Sequence, residues 1–159
     1  KGALELVAFP NSAVFNLVFE NGFSVAITSK LIEGNYPNYR QVIPTESAVT
    51  VPIKRQEFLS AVNRVALMTS DKQNSIKLQF AKNECVMTSN SPDSGEAREV
   101  IGLKYGDKEK LFAVNPRYLS EPLAMTPNDE LTFCMTDELS PAVLKADGCL
   151  HVVMPMRLS

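Results

Sequence analysis

Apolar and polar residues change period several times along this chain. The changes outline a layout that occurs about three times, a short amphipathic segment followed by three strand-like runs. In the middle copy, Val49-Thr50-Val51-Pro52-Ile53 reads as a strand. The stretch 55–68 sets Phe58, Leu59, Val62, Val65, Ala66 and Leu67 close to a 3.6-residue stripe, which predicts a helix. Ser75-Ile76-Lys77-Leu78-Gln79-Phe80 then alternates strictly. Glu84-Cys85-Val86-Met87-Thr88 and 97–103 supply two further runs, with turn residues at Lys82-Asn83 and at Ser91-Pro92-Asp93-Ser94-Gly95. In the last copy, Leu111-Phe112-Ala113-Val114 is a strand, Asn115 a helix N-cap and Pro116 the first helical residue. That helix runs to about Met125 and stops before Thr126-Pro127-Asn128-Asp129. Strands follow at 131–136, 142–146 and 150–154, and Asp147-Gly148 makes the last tight turn. The first copy is incomplete. Residues 2–9 look like the tail of a helix ended by Pro10-Asn11, 13–20 and 23–28 form a hairpin about Asn21-Gly22, and 31–44 is an extended, linker-like segment. The expected organisation is α+β: a partial domain over 1–44, then a complete domain over 45–159 built from two similar helix-plus-three-strand halves.

Composition narrows the class. Of 159 residues, 45% are hydrophobic and 21% charged, ordinary proportions for a globular chain. No apolar run approaches the roughly 18 residues of a membrane helix. The start, Lys1-Gly2-Ala3-Leu4-Glu5-Leu6-Val7, has no initiator Met and no signal-peptide design, so it reads as the interior of a longer chain. The net charge is −2 and the basic residues are spread thinly, without the cluster that tight phosphate binding requires. Any nucleic acid would be held by geometry or by neighbouring chains. Cys85, Cys134 and Cys149 each sit in an apolar run, as small buried hydrophobes do in a reducing compartment. Zinc-ligand spacing is lacking and there is one His, so neither a metal nor a cofactor is expected.

The residues of an enzyme are also missing. The sequence has no Gly-rich phosphate loop followed by Lys-Ser/Thr and no paired-His metal motif. His151 reads as an exposed or half-buried strand residue, and the carboxylates at Asp137-Glu138 and over 107–109 as solvated turn charges. No catalytic residue is expected. Met154 and Met156 flank Pro155 where a core strand would be finished. Flexible thioethers there suit a surface that accepts several partners.

Three stretches, in this order and spacing, carry a family resemblance across essentially the whole chain. They are Thr28-Ser29-Lys30-Leu31-Ile32-Glu33-Gly34 running into Tyr36-Pro37-Asn38-Tyr39-Arg40; Phe112-Ala113-Val114-Asn115-Pro116-Arg117-Tyr118-Leu119; and Val152-Val153-Met154-Pro155-Met156-Arg157-Leu158. The chain resembles the carboxyl-terminal portion of the beta subunit of bacterial DNA polymerase III, the sliding clamp. The resemblance implies a DNA-clamp-like fold and, in the full-length protein, a head-to-tail homodimeric ring of six similar domains. Such a ring encircles double-stranded DNA without base readout and serves the replicative polymerase as a processivity factor in the cytoplasm, with no membrane contact.

The resemblance further implies a pocket for short peptides of DNA polymerases, clamp-loader subunits and repair proteins. Matching positions are Pro37, Gln41, Val42, Asn115, Tyr118, Leu139, Pro141, Val152, Val153, Pro155, Met156 and Arg157, with Gln41 standing where many members have Arg. If the side chain of Met154 alternates inward to the core, its removal should matter less than that of Met156. The ring-closing surface would match Leu67 and Met68, with acidic help from Glu96 and Glu99 interrupted by Arg98; Leu67 and Met68 equally suit a core. DNA-facing positions would be Lys1, Asn35, Lys72 and Asn74, the two Asn standing where Arg is often found. Two other classes compete, a small α+β ligand-binding domain or enzyme and a purely structural oligomerisation domain. A clamp piece should hold a surface groove by 37–42 and 152–158; an enzyme should show charged groups converging in a buried cleft.

Overall fold

The computed structural model describes residues 2–70, 74–92 and 94–157. The chain forms two compact units, one through Asn38 and one from Tyr39 onward.

The first unit is an antiparallel meander of β1 (Gly2–Ala8), β2 (Ser12–Phe19) and β3 (Ser24–Lys30) in the order β1-β2-β3. Residues 2–9, expected as the tail of a helix, are therefore a strand. Leu4, Leu6 and Ala8 alternate with Glu5 and Val7, and in the pleat that puts them on one face. The register aligns Leu4 with Leu17, Leu6 with Phe15, Leu17 with Val25 and Phe15 with Ile27, so this face is apolar. On the other face Asn16 Nδ2 donates to Glu5 Oε2 at 3.1 Å. The apolar face is open to solvent, with Leu4 63% and Leu6 59% exposed. Gly22, at φ 81°, makes the β2–β3 turn that an L side chain would resist.

The second unit runs β4 (Val49–Lys54), α1 (Arg55–Ala66), β5 (Ile76–Ala81), β6 (Glu84–Ser91), β7 (Gly95–Gly102), then β8 (Lys110–Val114), α2 (Pro116–Met125), β9 (Glu130–Met135), β10 (Ala142–Ala146) and β11 (Cys149–Val153). A turn of 3-10 helix at Tyr39–Gln41 precedes them. The two halves repeat, as the periodicity predicts, but they exchange strands. β4 pairs with β9 of the second half and β8 with β5 of the first, giving the sheets β11-β10-β9-β4 and β7-β6-β5-β8. Pro52, which cannot donate to a ladder, is accordingly on an edge strand.

One core joins both sheets and both helices. α1 contributes Phe58, Ala61, Val62 and Val65, an i, i+3, i+4, i+7 stripe, and α2 contributes Leu119 and Leu123. Phe133 of β9 is central. Its ring centroid lies 5.0 Å from Phe80, 5.7 Å from Phe112 and 6.3 Å from Phe58, so aromatic contacts tie β5, β8 and α1 to β9. The helices begin differently. Asn115 caps α2 through its side-chain oxygen, which accepts from Arg117 N at 3.0 Å. α1 has no side-chain cap, and its first N–H, of Arg55, donates instead to Asp129 O at 2.8 Å.

Candidate functional site

The chain leaves β11 at Val153, and strand alternation decides what faces solvent. Cys149, His151 and Val153 share the inward face, with Val153 only 3% exposed in the core. Leu150, Val152 and Met154 share the outward face, and Met154 is 56% exposed. The Val153 side chain is held in the core although the residue still borders the cavity beside α2, and Met154 does not turn inward. Val152 and Met154 form the outward pair.

Beyond the strand the backbone is held in place, because Met156 N donates to Ala113 O of β8 at 2.7 Å. Pro155 is half-buried and the Met156 and Arg157 side chains are exposed. A cavity of about 300 Å³ opens there, lined by Leu111, Ala113, Glu138, Leu139, Met156 and Arg157. Leu139, 71% exposed, is fixed by its own turn: Leu139 N and Ser140 N donate to Asp137 Oδ1 at 2.9 and 2.7 Å, and Ser140 Oγ donates to Asp137 Oδ2 at 2.8 Å. Asp137 is thus more than a solvated turn charge. The Leu139 N–H first, then the Ser140 hydroxyl and N–H, hold its carboxyl below the ordinary aspartate range. Pro141 is half-buried just after this turn.

On the other side of the exit segment, α2 and β11 flank an open cavity of about 500 Å³. Tyr118, Glu121 and Pro122 form its helix wall, and Leu150, His151, Val152, Val153 and Met154 its strand wall. Tyr118 is 55% exposed, and the side-chain oxygen of Asn115, one turn back, caps the helix. His151 is half-buried, its Nε2 3.5 Å from Thr126 Oγ1. Gln41 and Val42 are exposed at the end of the 3-10 turn, where Val42 N donates to Tyr39 O at 3.1 Å. Pro37 is exposed in the first unit. Of the expected residues, the second unit therefore brings Leu139, Met156 and Arg157 to one cavity and Tyr118, Val152 and Val153 to the other, with Asn115 and Pro155 lining neither. Leu111, Ala113, Glu121, Pro122 and Leu150 were not expected from sequence; for Leu150 the i, i+2 spacing from Val152 was the available signal, and Met154 is singled out with Met156 as a thioether at the surface.

The other expected surfaces are partly realised. Leu67 is 74% exposed past the end of α1 and so is not core, whereas Met68 is half-buried. Glu96 is exposed on β7. Glu99 is already engaged, because Arg64 Nε and Nη2 donate to its two oxygens at 2.7 and 3.0 Å, and that bond holds its carboxyl down in pKa. Asn35 is exposed, and Asn74 is half-buried with Oδ1 3.4 Å from Thr69 Oγ1. Lys1 and Lys72 lie outside the described residues. Cys85 and Cys134 are buried and Cys149 half-buried; burial pushes the Cys85 thiol up to about 12. Among the described residues, no three His, Cys, Asp or Glu side chains are grouped to hold a metal, and no helix is long and apolar enough to cross a membrane.

Comparison with known proteins agrees with this architecture. A beta sliding clamp of Vibrio cholerae is 28% identical over 169 residues, covering 99% of this chain and 46% of that protein. One of Pseudomonas putida is 32% identical over 134 residues, covering 82% and 36%. Among solved structures, a sliding clamp (DNA polymerase III subunit beta) of Bartonella birtlesii bound to griselimycin superposes with a TM-score of 0.83 at 30% identity, covering 98% of this chain and 41% of that one. The DNA polymerase III subunit beta of Pseudomonas aeruginosa gives 0.82 at 28%, covering 99% and 43%. The chain thus spans less than half the length of these relatives. The family described as DNA polymerase III beta subunit, C-terminal domain, matches residues 40–157, and the chain belongs to that family.

Proposed function

We propose that this chain is the carboxyl-terminal portion of a DNA sliding clamp and carries part of the docking surface through which a clamp holds polymerases, clamp-loader subunits and repair proteins by short peptides. It does so without catalysis, as a processivity factor. The observation that supports this most is the exit from β11, where Val152, Met154 and Met156 stand at a solvent-facing surface beside Tyr118 and Leu139. Apolar walls with a few polar groups at the rim are what a peptide cleft needs, and thioethers adapt to more than one occupant. In this reading Gln41, Val42, Asn115, Pro141, Pro155 and Arg157 flank the same surface, Pro37 belongs to the segment that precedes it, and the domains divide at 44/45.

In the full-length protein two copies would close head to tail around double-stranded DNA in the cytoplasm. Leu67, supported by Met68 and Glu96, would contribute to the joint, while Glu99 would act through its pair with Arg64. The apolar face of β1-β2-β3 would be the core face of the preceding clamp domain. The exposed charges of α1 and α2 are mixed, Arg64 and Arg117 beside Glu57 and Glu121, and Asn35 and Asn74 are neutral. DNA would therefore be retained by enclosure and not by phosphate contacts. The test is titration of a fluorescent peptide with two apolar anchors against the chain and its Met156→Ala variant. Saturable binding weakened several-fold in the variant is expected. Absence of binding, or equal binding by both, counts against the reading.

A further inference from the structure

We propose that the cavity between α2 and β11 receives an extended peptide segment carrying a lysine or arginine, with a backbone N–H of the peptide donated to the Tyr118 carbonyl and its cation to Glu121. This rests on the docking reading above and deepens it by naming the chemistry of the segment beside the apolar anchors.

Two independent features of α2 support it. Pro122 lies inside the helix, six residues after its first, and has no N–H. The Tyr118 carbonyl, four residues back, therefore lacks its α-helical donor. Both residues line the cavity, so the helical turn that lacks this donor is part of its wall. The second feature is charge. Among the described residues, Glu121 is the one carboxylate lining the cavity, and neither Lys nor Arg lines it. Arg117 Nε donates to Glu121 Oε1 across one helical turn, which orients the carboxylate; among the described residues no donor reaches Oε2. The strand wall supplies the apolar contact through Val152 and Met154, and it is continuous with the proposed docking surface. Acceptors on one wall and apolar side chains on the other suit a basic, extended segment and disfavour an acidic one.

The test compares two blocked hexapeptides, Ala-Leu-Leu-Ala-Lys-Ala and its counterpart with Glu in place of Lys, titrated into the chain at low and high salt. The Lys peptide should bind about three- to fivefold more tightly at low salt, a margin set by an exposed ion pair, and the difference should shrink as salt rises. Glu121→Gln should bring the Lys peptide down to its counterpart's affinity. Pro122→Ala returns an N–H to the Tyr118 carbonyl and favours the helix, so it should weaken both peptides alike without harming the fold. Equal affinity of the two peptides, or a Lys preference that survives Glu121→Gln, would overturn the inference while leaving apolar docking intact. Failure of both peptides to bind would overturn the docking reading and this inference together.

Discussion

Val153→Ala and Met154→Ala should separate stability from binding, because the two neighbours face opposite ways. Val153 is 3% exposed among the core residues, whereas Met154 is 56% exposed. Replacing Val153 removes two buried carbon centres at about 0.8 kcal/mol each and leaves a small cavity, a total of about 2–3 kcal/mol. Replacing Met154 removes contacts that water already shares, so its effect on folding should stay within about 0.5 kcal/mol. Binding should show the reverse order. Fully burying a Met side chain is worth about 1.5–3 kcal/mol, and roughly half of this one remains to be covered by a ligand. Met154→Ala should then weaken peptide affinity by about 1 kcal/mol, a factor of about five. Urea unfolding followed by circular dichroism reads the first quantity, and peptide titration of the folded variants reads the second. A urea midpoint lowered as far by Met154→Ala as by Val153→Ala would refute the assigned orientation. So would unchanged peptide affinity in Met154→Ala.

Other outcomes follow from single contacts. Phe133→Ala should cost about 3–5 kcal/mol, since it empties the space shared by Phe58, Phe80 and Phe112, and the urea midpoint will show it. The Asp137 turn should persist from neutral pH down to about pH 4. A carboxyl with a depressed folded pKa stabilises above its unfolded value and loses that contribution as pH falls through the folded one, so amide shifts of Leu139 and Ser140 should change only below that point. Asp137→Ala should weaken peptide binding by releasing Leu139, without a large change in folding. A thiol reagent at neutral pH should modify Cys149 alone in the folded chain; mass spectrometry showing equal labelling of Cys85 would contradict its buried, raised-pKa thiol.

The two halves were legible because their periods are strong. Phe58, Val62 and Val65 repeat at helical spacing, Ile76, Leu78 and Phe80 alternate, and Asn115-Pro116 marks a helix start that the structure places there. Residues 2–9 misled because Leu4, Val7 and Ala8 fit helical spacing as well as Leu4, Leu6 and Ala8 fit a strand; in so short a run only pairing with β2 decides. The exchange of β4 and β8 between halves was not legible, since it depends on which edge the core leaves open. At the candidate site, Tyr118, Leu139, Val152 and Met156 follow from the resemblance, whereas the burial of the Val153 side chain beside an exposed Met154 follows from strand alternation. Arg64 and Glu99 stand 35 positions apart, and nothing local in the sequence announces their pairing.

On the proposed reading, the exit from β11, with α2 and the Asp137 turn beside it, is a surface for peptide docking. Amide-shift mapping of the isotope-labelled chain during titration with the apolar-anchored peptide tests it most directly. Perturbations are expected at Tyr118, Leu139, Val152, Met154 and Met156, with Leu67 and Glu96 unmoved. Perturbations confined to the end of α1 near Leu67, with silence over 152–157, would place the partner surface on another face and refute docking at the exit from β11.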